Sequence, residues 1–221
     1  MKLALFDLDH TLLPIDSDHS WGQYTLDIGW SDPGHFKARN DQFYADYVAG
    51  TLDVHEYVRF STEAARVRGQ AAAEAARADF MDRVIRPAVL PQALELVKRH
   101  QDAGEQVIII TATNEFVTRP IADAFGVREL IAVQLARDTS GWITGEIDGI
   151  PSLREGKVAR MELWLSDRGL DWGDVEATFY SDSLNDLPLL EKVRHPVATN
   201  PDPRLRKIAV ERGWRILDLF P

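Results

Sequence analysis

Residues 2–13 read KLALFDLDHTLL. Leu3 to Phe6 form an unbroken apolar run with no alternation, the pattern of a short strand covered on both faces. The run ends by presenting Asp7 and Asp9, one residue apart. Two carboxylates that close repel each other, so the arrangement makes sense mainly if something positive sits between them.

Three further runs repeat the design, each closing on polar residues: QVIII before Thr111, ATFY before Ser181 and PVAT before Asn200. Between them lie the helical patterns PQALELVKRHQDAG, TRPIADAFG, EGKVARMELWLSDRG and PDPRLRKIAVERG, with Gly at the ends where a left-handed cap falls. Strands alternating with helices predict an α/β fold with a doubly wound, mostly parallel sheet. A strand–helix–strand unit needs roughly 30 residues, yet Asp7 and Thr111 stand far further apart. The excess predicts a small inserted domain over residues 14–87, leaving 1–13 and 88–221 as the core. Its Ala-rich middle, STEAARVRGQAAAEAARADFMDRVI, is poor in β-branched residues, so the insert reads as a helical lid. One β-hairpin is expected in AVQLARDTSGWITGEIDGIPS, turning at Asp138 to Gly141.

Composition narrows the possible functions. The chain has 221 residues, 45% of them hydrophobic, enough for a packed interior. With 35 acidic against 25 basic side chains the formal charge is -10, which opposes binding to nucleic acid, where Lys and Arg contacts to phosphate dominate. There is no cysteine, so disulfides, thiolate metal ligands and a cysteine nucleophile are excluded. The apolar run before Asp7 is too short for a signal segment and none later approaches membrane-spanning length, which predicts a cytoplasmic protein with no membrane partner. The oligomeric state is left open.

In an open parallel sheet, ligands bind outside the carboxyl ends of the strands. That brings together Asp7, Asp9 and Thr11, then Thr111, Thr113 and Asn114, with Lys157 and with Asp182, Asn185 and Asp186. Three or four converging carboxylates repel by several kcal/mol at an effective dielectric near ~20, so the site demands a cation. A hard divalent ion with oxygen ligands fits, and Mg²⁺ typically takes one or two carboxylates plus waters and a substrate phosphate. The pair itself suits phosphoryl transfer. A carboxylate can attack phosphorus to give an acyl phosphate that water then cleaves, with a second group protonating the leaving alkoxide and later deprotonating the water. Asp7 can attack and Asp9 can shuttle the proton, while the Thr111 hydroxyl and the Lys157 charge can stabilise the transferring oxygens.

FDLDHTLL, VIIITAT, GKVAR and YSDSLNDLPLL, in this order, resemble the four signature motifs of the haloacid dehalogenase superfamily of aspartyl-phosphate phosphatases. The resemblance spans nearly the whole chain. The helical insert after the first strand looks like the cap of the phosphoserine phosphatase branch, which also includes histidinol-phosphate phosphatases. The resemblance implies Asp7 as nucleophile, Asp9 as acid and base, and Thr111 and Lys157 as phosphate contacts. It also implies a Mg²⁺ site drawing on Asp7, Asp182, Asp186 and the backbone carbonyl of Asp9, acting on a small phosphorylated metabolite. Ser181, Ser183, Ala112 and Thr113 stand where phosphoserine phosphatases usually have Gly, Gly, Ser-adjacent Gly and Gly, and His10 replaces a common Gly.

Other readings of the same residues differ in layout. A receiver-type phosphoacceptor module carries its acceptor after a middle strand and has no helical insert. An inactive binding protein on this scaffold would lack one of the paired aspartates. A phosphotransferase or phosphomutase shares the first motif, and release of inorganic phosphate without an acceptor distinguishes the hydrolase. For substrate contacts the candidates are Asp16, Asn114 and Asn185. In the resembling branch a carboxylate nine positions past the nucleophile meets the substrate amine, and Asp16 holds that position with Asp18 close behind. Such a pocket favours a cationic, carboxylate-free head group and hence histidinol phosphate over phosphoserine. The blander role for Asp16 is a helix N-cap, for Asn185 a turn residue, and for Arg59, Arg66 and Arg68 a solvated helix face.

Overall fold

In the computed structural model, which describes residues 1–220, the opening run becomes an interior strand of a six-stranded parallel sheet. In chain order the elements are β1 (Lys2–Phe6), α1 (Ser17–Asp27), α2 (Pro33–Ala49), α3 (Val54–Arg68), α4 (Gln70–Phe80), α5 (Arg86–Ala88), α6 (Pro91–Asp102), β2 (Gln106–Asn114), α7 (Glu115–Ala124) and β3 (Glu129–Val133). They continue as β4 (Leu135–Arg137), β5 (Ile143–Ile147), α8 (Glu155–Ser166), β6 (Glu176–Ser181), α9 (Leu187–Lys192), β7 (His195–Thr199), α10 (Pro203–Arg212) and β8 (Arg215–Leu217).

The sheet order is β3-β2-β1-β6-β7-β8. Winding runs outward from β1 in one direction through β2 and β3, then resumes on its other side with β6. This reversal makes the carboxyl ends of β1, β2 and β6 the place where a ligand fits. Phe6 lies opposite both Ile109 and Tyr180, so Asp7, the end of β2 and the Ser181–Asp182 turn share one edge.

The absence of alternation in β1 has its cause in the layers. Leu3 and Leu5 pack into an apolar cluster with Met161, Phe179 and Leu205, whereas Ala4 and Phe6 face the opposite cluster with Ile109, Val117 and Ile121. All four of these side chains are completely buried.

The insert after β1 is helical, and its helices have local reasons to start and stop. Asp32 caps α2 by accepting from the Gly34 amide at 2.8 Å, Pro33 supplies a pre-set first residue, and Gly50 ends it in the left-handed region at φ 78°. Asp53 caps α3 through the His55 and Glu56 amides. The root of the insert is continuous with the core. Trp21 and Tyr24 of α1 and Phe80 of α4 belong to the same apolar cluster as Phe6 and Ile109, and Trp21 meets Phe80 and Phe116 edge-on at 5.3 and 5.8 Å. Full burial of a side chain such as Phe80 stabilises by roughly 1.5–3 kcal/mol. The outer pair α2 and α3 is instead joined by its own aromatics, with Phe36 stacked on Phe60 at 4.6 Å and Phe43 beside Tyr57 at 5.2 Å.

The hairpin turns where expected, with the Asp138 amide donating to Trp142 O at 2.8 Å and Gly141 at φ 84°. Its first limb is shorter than the sequence suggests. Glu129–Val133 pairs in parallel with β2 as an edge of the main sheet, and only Leu135–Arg137 pairs with Ile143–Ile147. This hairpin packs against α3 of the insert, where Arg59 pairs with Glu146 at 3.2 Å. Among the described residues no helix is long and apolar enough to cross a membrane.

Candidate active site

The site begins where β1 stops. The Asp7 amide still donates to Tyr180 O at 2.9 Å, so its backbone is fixed by the sheet while its side chain clears the edge, only 5% exposed. Behind it stands Lys157 from the first turn of α8. Its Nζ donates to Asp7 Oδ1 at 2.8 Å and to Asp186 Oδ2 at 2.7 Å, and Ser181 Oγ donates to the same Asp186 oxygen at 2.7 Å. Burial by itself depresses the Lys157 ammonium, but the attraction of Asp186 and Asp7 outweighs it and holds its pKa above the ordinary range.

One ammonium does not balance this edge. Asp182 lies on the turn after β6, where its amide donates to Thr11 Oγ1 at 3.0 Å and the Thr11 hydroxyl lies 3.2 Å from its Oδ1. Burial, then the charges of Asp7 and Asp186, push its pKa well above the carboxylate range. Burial likewise raises Asp186 to about 6, with Lys157 pulling the other way and Asp7 reinforcing the rise. Three carboxylates therefore face one buried cation.

Asp9 has a different setting. Its Oδ1 accepts the Ser17 amide at 2.7 Å and its Oδ2 accepts the Thr113 hydroxyl at 2.8 Å, so α1 and β2 both hold it in place. Burial and the nearby Asp16 charge raise its pKa well above the usual value. Thr111 is almost fully buried, its Oγ1 accepting the Thr113 amide at 3.1 Å and its carbonyl accepting the Ser152 hydroxyl at 2.6 Å. Between Asp9 and Thr11 the chain passes through His10 at φ 55°, a conformation that glycine adopts without steric cost and that His10 holds against its Cβ. The loop is pinned by Asn200, whose Nδ2 donates to His10 O at 2.8 Å, while the buried His10 Nε2 has no partner.

A cleft of about 670 Å³, including its open mouth, lies between this edge and the insert. Asp7, Asp9, Asp16, Asp18 and Asp182 line it, with His10, His19 and the rings of Phe43, Tyr44, Tyr47 and Tyr57, and among the described residues no lysine or arginine does. Asp7, Asp9, Thr111 and Asp182 are thus brought together around one space. Lys157 and Asp186 stand behind it, Lys157 bonded to Asp7 and the Asp186 charge felt by Asp182. Asp16 sits at the mouth and does both things the sequence allowed: it caps α1 by accepting the His19 amide at 2.8 Å and also lines the cleft.

Asn114 and Asn185 do not line the cleft. Asn114 caps α7 by accepting the Val117 amide at 3.2 Å and donates to Asp18 Oδ1 at 3.3 Å. Asn185 Nδ2 donates to Tyr47 O at 2.8 Å and its Oδ1 accepts Arg154 Nε at 3.4 Å, joining the site turn to the last turn of α2. Arg204 grips the next carbonyl, Val48 O, at 2.6 Å, and Gly50 leaves room for Arg154, whose Nη2 lies only 2.2 Å from where a Cβ would stand. Arg59, Arg66 and Arg68 point elsewhere, toward Glu146, the Arg59 carbonyl and the Trp30 ring respectively. The aromatic wall went unread in the sequence, although Phe43, Tyr44 and Tyr47 recur at helical spacing and offered the signal.

The donor set fits a hard divalent cation. Among the described residues no three His, Asp or Glu side chains are grouped to hold a metal unaided. Mg²⁺ does not require such a group, since one or two carboxylates with water and substrate oxygens suffice. Asp182, in the field of Asp7 and lining the same cleft, makes these two the carboxylates that would be available to such an ion.

The sequence profile of haloacid dehalogenase-like hydrolases matches residues 4–191. A histidinol-phosphatase of Neisseria meningitidis serogroup C (strain 8013) is 44% identical over 219 residues, covering 98% of each chain. A solved protein of unknown function from Bordetella pertussis Tohama I is 47% identical and superposes with a TM-score of 0.93 over 99% of both chains. A substrate-bound phosphoserine phosphatase shares the fold at a TM-score of 0.66 and 18% identity, over 98% of this chain and 92% of its own.

Proposed function

The chain belongs to the haloacid dehalogenase-like hydrolases, and from that premise we propose that it is a Mg²⁺-dependent phosphomonoesterase whose preferred substrate is histidinol phosphate. The observation that carries the substrate choice is the charge inventory of the cleft: five carboxylates and no lysine or arginine. A substrate carboxylate, as in phosphoserine, finds no lysine or arginine there and meets five acids, whereas an amine finds Asp16 at the mouth. The full-length similarity to a histidinol-phosphatase supports the same choice.

Asp7 is the nucleophile. Lys157 occupies its Oδ1 and leaves Oδ2 to attack phosphorus, forming the aspartyl phosphate as the phosphorus–oxygen ester bond breaks. Asp9, whose raised pKa suits a proton donor, protonates the departing alkoxide, then takes a proton from the water that cleaves the acyl phosphate and restores Asp7. Thr111 offers its hydroxyl to the transferring oxygens, and Ser17 and Thr113 keep Asp9 aimed. Asp7, Asp182 and the Asp9 carbonyl would hold Mg²⁺, with Asp186 supporting that site from behind; when bound, the ion neutralises charge on the phosphoryl oxygens. Residues 14–87 act as a cap that excludes water over the core of 1–13 and 88–221.

The test is turnover, in Mg²⁺, of histidinol phosphate, phosphoserine and an amine-free phosphate ester, with release of inorganic phosphate as readout. The expected order places histidinol phosphate first by at least tenfold in kcat/KM. Removing one partner of a desolvated pair costs about 2–5 kcal/mol, so Asp16→Ala should lower kcat/KM for the amine substrate by roughly thirtyfold or more while sparing the amine-free ester. Preference for phosphoserine, or equal losses on both ester types, would refute amine recognition.

A further inference from the structure

Asp18 has no part in the chemistry above. It lies in the first turn of α1, is 5% exposed, and lines the cleft deeper than the half-buried Asp16. Asn114 Nδ2 donates to it at a long 3.3 Å and the Tyr57 hydroxyl from α3 stands beside it, both of them neutral. No protein cation answers it, and the Asp16 charge two residues earlier works against it. Burial first, and Asp16 second, accordingly raise its pKa to about 7.

A buried carboxylate served only by neutral donors is costly to keep ionised. An asparagine would fill the same volume and still accept the Tyr57 hydroxyl. What the acid adds is negative charge facing the cleft, and that gains something only when a cation or a strongly polarised N–H arrives from the ligand. The walls nearby favour a flat ring: Phe43, Tyr44 and Tyr57 line the same space, and aromatic faces attract cationic planar groups.

Resting on the phosphatase reading above, we infer that Asp18, oriented by Tyr57 and Asn114, is a specificity-determining acceptor for a second nitrogenous group of the substrate, an azole ring N–H, while Asp16 serves the amine. The cleft then reads two cationic features at two depths. A phosphorylated amino alcohol with an aliphatic side chain satisfies the first acid and leaves the second without a partner.

The experiment compares histidinol phosphate with leucinol phosphate, which keeps the amine and the phosphate ester and replaces the azole with an alkyl group. The readout is the ratio of their kcat/KM values within each protein, so a lowered fraction of folded enzyme cancels. The parent should favour histidinol phosphate, Asp18→Asn should lower that ratio at least tenfold, and Tyr57→Phe should lower it several-fold. Asp16→Asn should weaken both esters together and leave the ratio near the parent value. A parent that does not distinguish the two esters overturns both this inference and the choice of histidinol phosphate. A parent that prefers histidinol phosphate, with an Asp18→Asn variant that keeps the preference, overturns the role of Asp18 alone.

Discussion

Replacing Lys157 with Met tests the electrostatics of the site without touching the cleft. The methionine keeps the length and packing of the side chain but removes the ammonium that donates to Asp7 at 2.8 Å and to Asp186 at 2.7 Å, leaving two buried acids uncompensated beside a third. Breaking a buried pair from one side costs roughly 3–5 kcal/mol. For a chain of this size about 2–4 °C of melting temperature follows each kcal/mol, so the metal-free variant should melt roughly 6–20 °C below the parent near pH 8.

The pH dependence has a definite sign. The Lys157 pKa is raised in the fold, so its contribution is complete below the unfolded value near ~10.4 and is lost only above that. Its own titration therefore adds no pH dependence between pH 5 and 8.5. Asp186 is also raised, to about 6, so its ionised form costs stability that returns as pH falls through that value toward the unfolded ~3.9. Without Lys157 this cost grows, and the variant's deficit should be greatest at pH 8.5 and shrink toward pH 5. Thermal melts in chelated buffer across that range provide the measurement. A deficit under about 1 kcal/mol at pH 8, or one that widens toward acid, refutes the account of a charge-starved site.

Two further outcomes follow from the assignment of roles. Asp7→Asn should abolish turnover with the fold retained, because the amide keeps the shape but cannot form an acyl phosphate; borohydride trapping should label Asp7 in the parent, and activity within tenfold of the parent in the variant sinks the nucleophile. Chelation should abolish activity and Mg²⁺ restore it, with Ca²⁺ a poor substitute because its shell is larger and looser. Mg²⁺ at a hundred times its dissociation constant should also stabilise the parent by about 2.7 kcal/mol in a melt, so full activity and an unchanged melt in exhaustively chelated buffer exclude the metal site.

The strand ends were legible because the sheet buries both faces. Leu3–Phe6 and Gln106–Ile110 show up as continuous runs, and the polar residues after them had to surface at one edge. What escaped was decided by context. Glu129–Val133 carries the same apolar signal whether it pairs with β2 or turns back on β5, and Arg215–Leu217 is too short to declare itself. Asn114 and Asn185 follow strand ends and so qualified as ligand contacts, but a side chain that can cap a helix or hold a carbonyl satisfies its hydrogen bonds nearer home. Lys157 was recognisable by its motif, yet nothing in the sequence separated a residue that faces the ligand from one that stands behind Asp7. The insert's aromatic wall depends on how α2 and α3 lean over the edge, which is a tertiary fact.

The last turn of α2 is held by the residues that shape the acidic edge. Asn185, one position from Asp186 and three from Asp182, takes the Tyr47 carbonyl, and Arg204 takes that of Val48. Whatever settles the 182–186 turn therefore also settles the wall that carries Tyr44 and Tyr47, and the two equilibria are thermodynamically conjugate. Whatever factor an occupant of the acidic edge imposes on the affinity of an occupant of the aromatic wall, the second imposes on the first, whichever arrives first. The coupling between the organic part of the ester and the cation is then one quantity, measurable from either side.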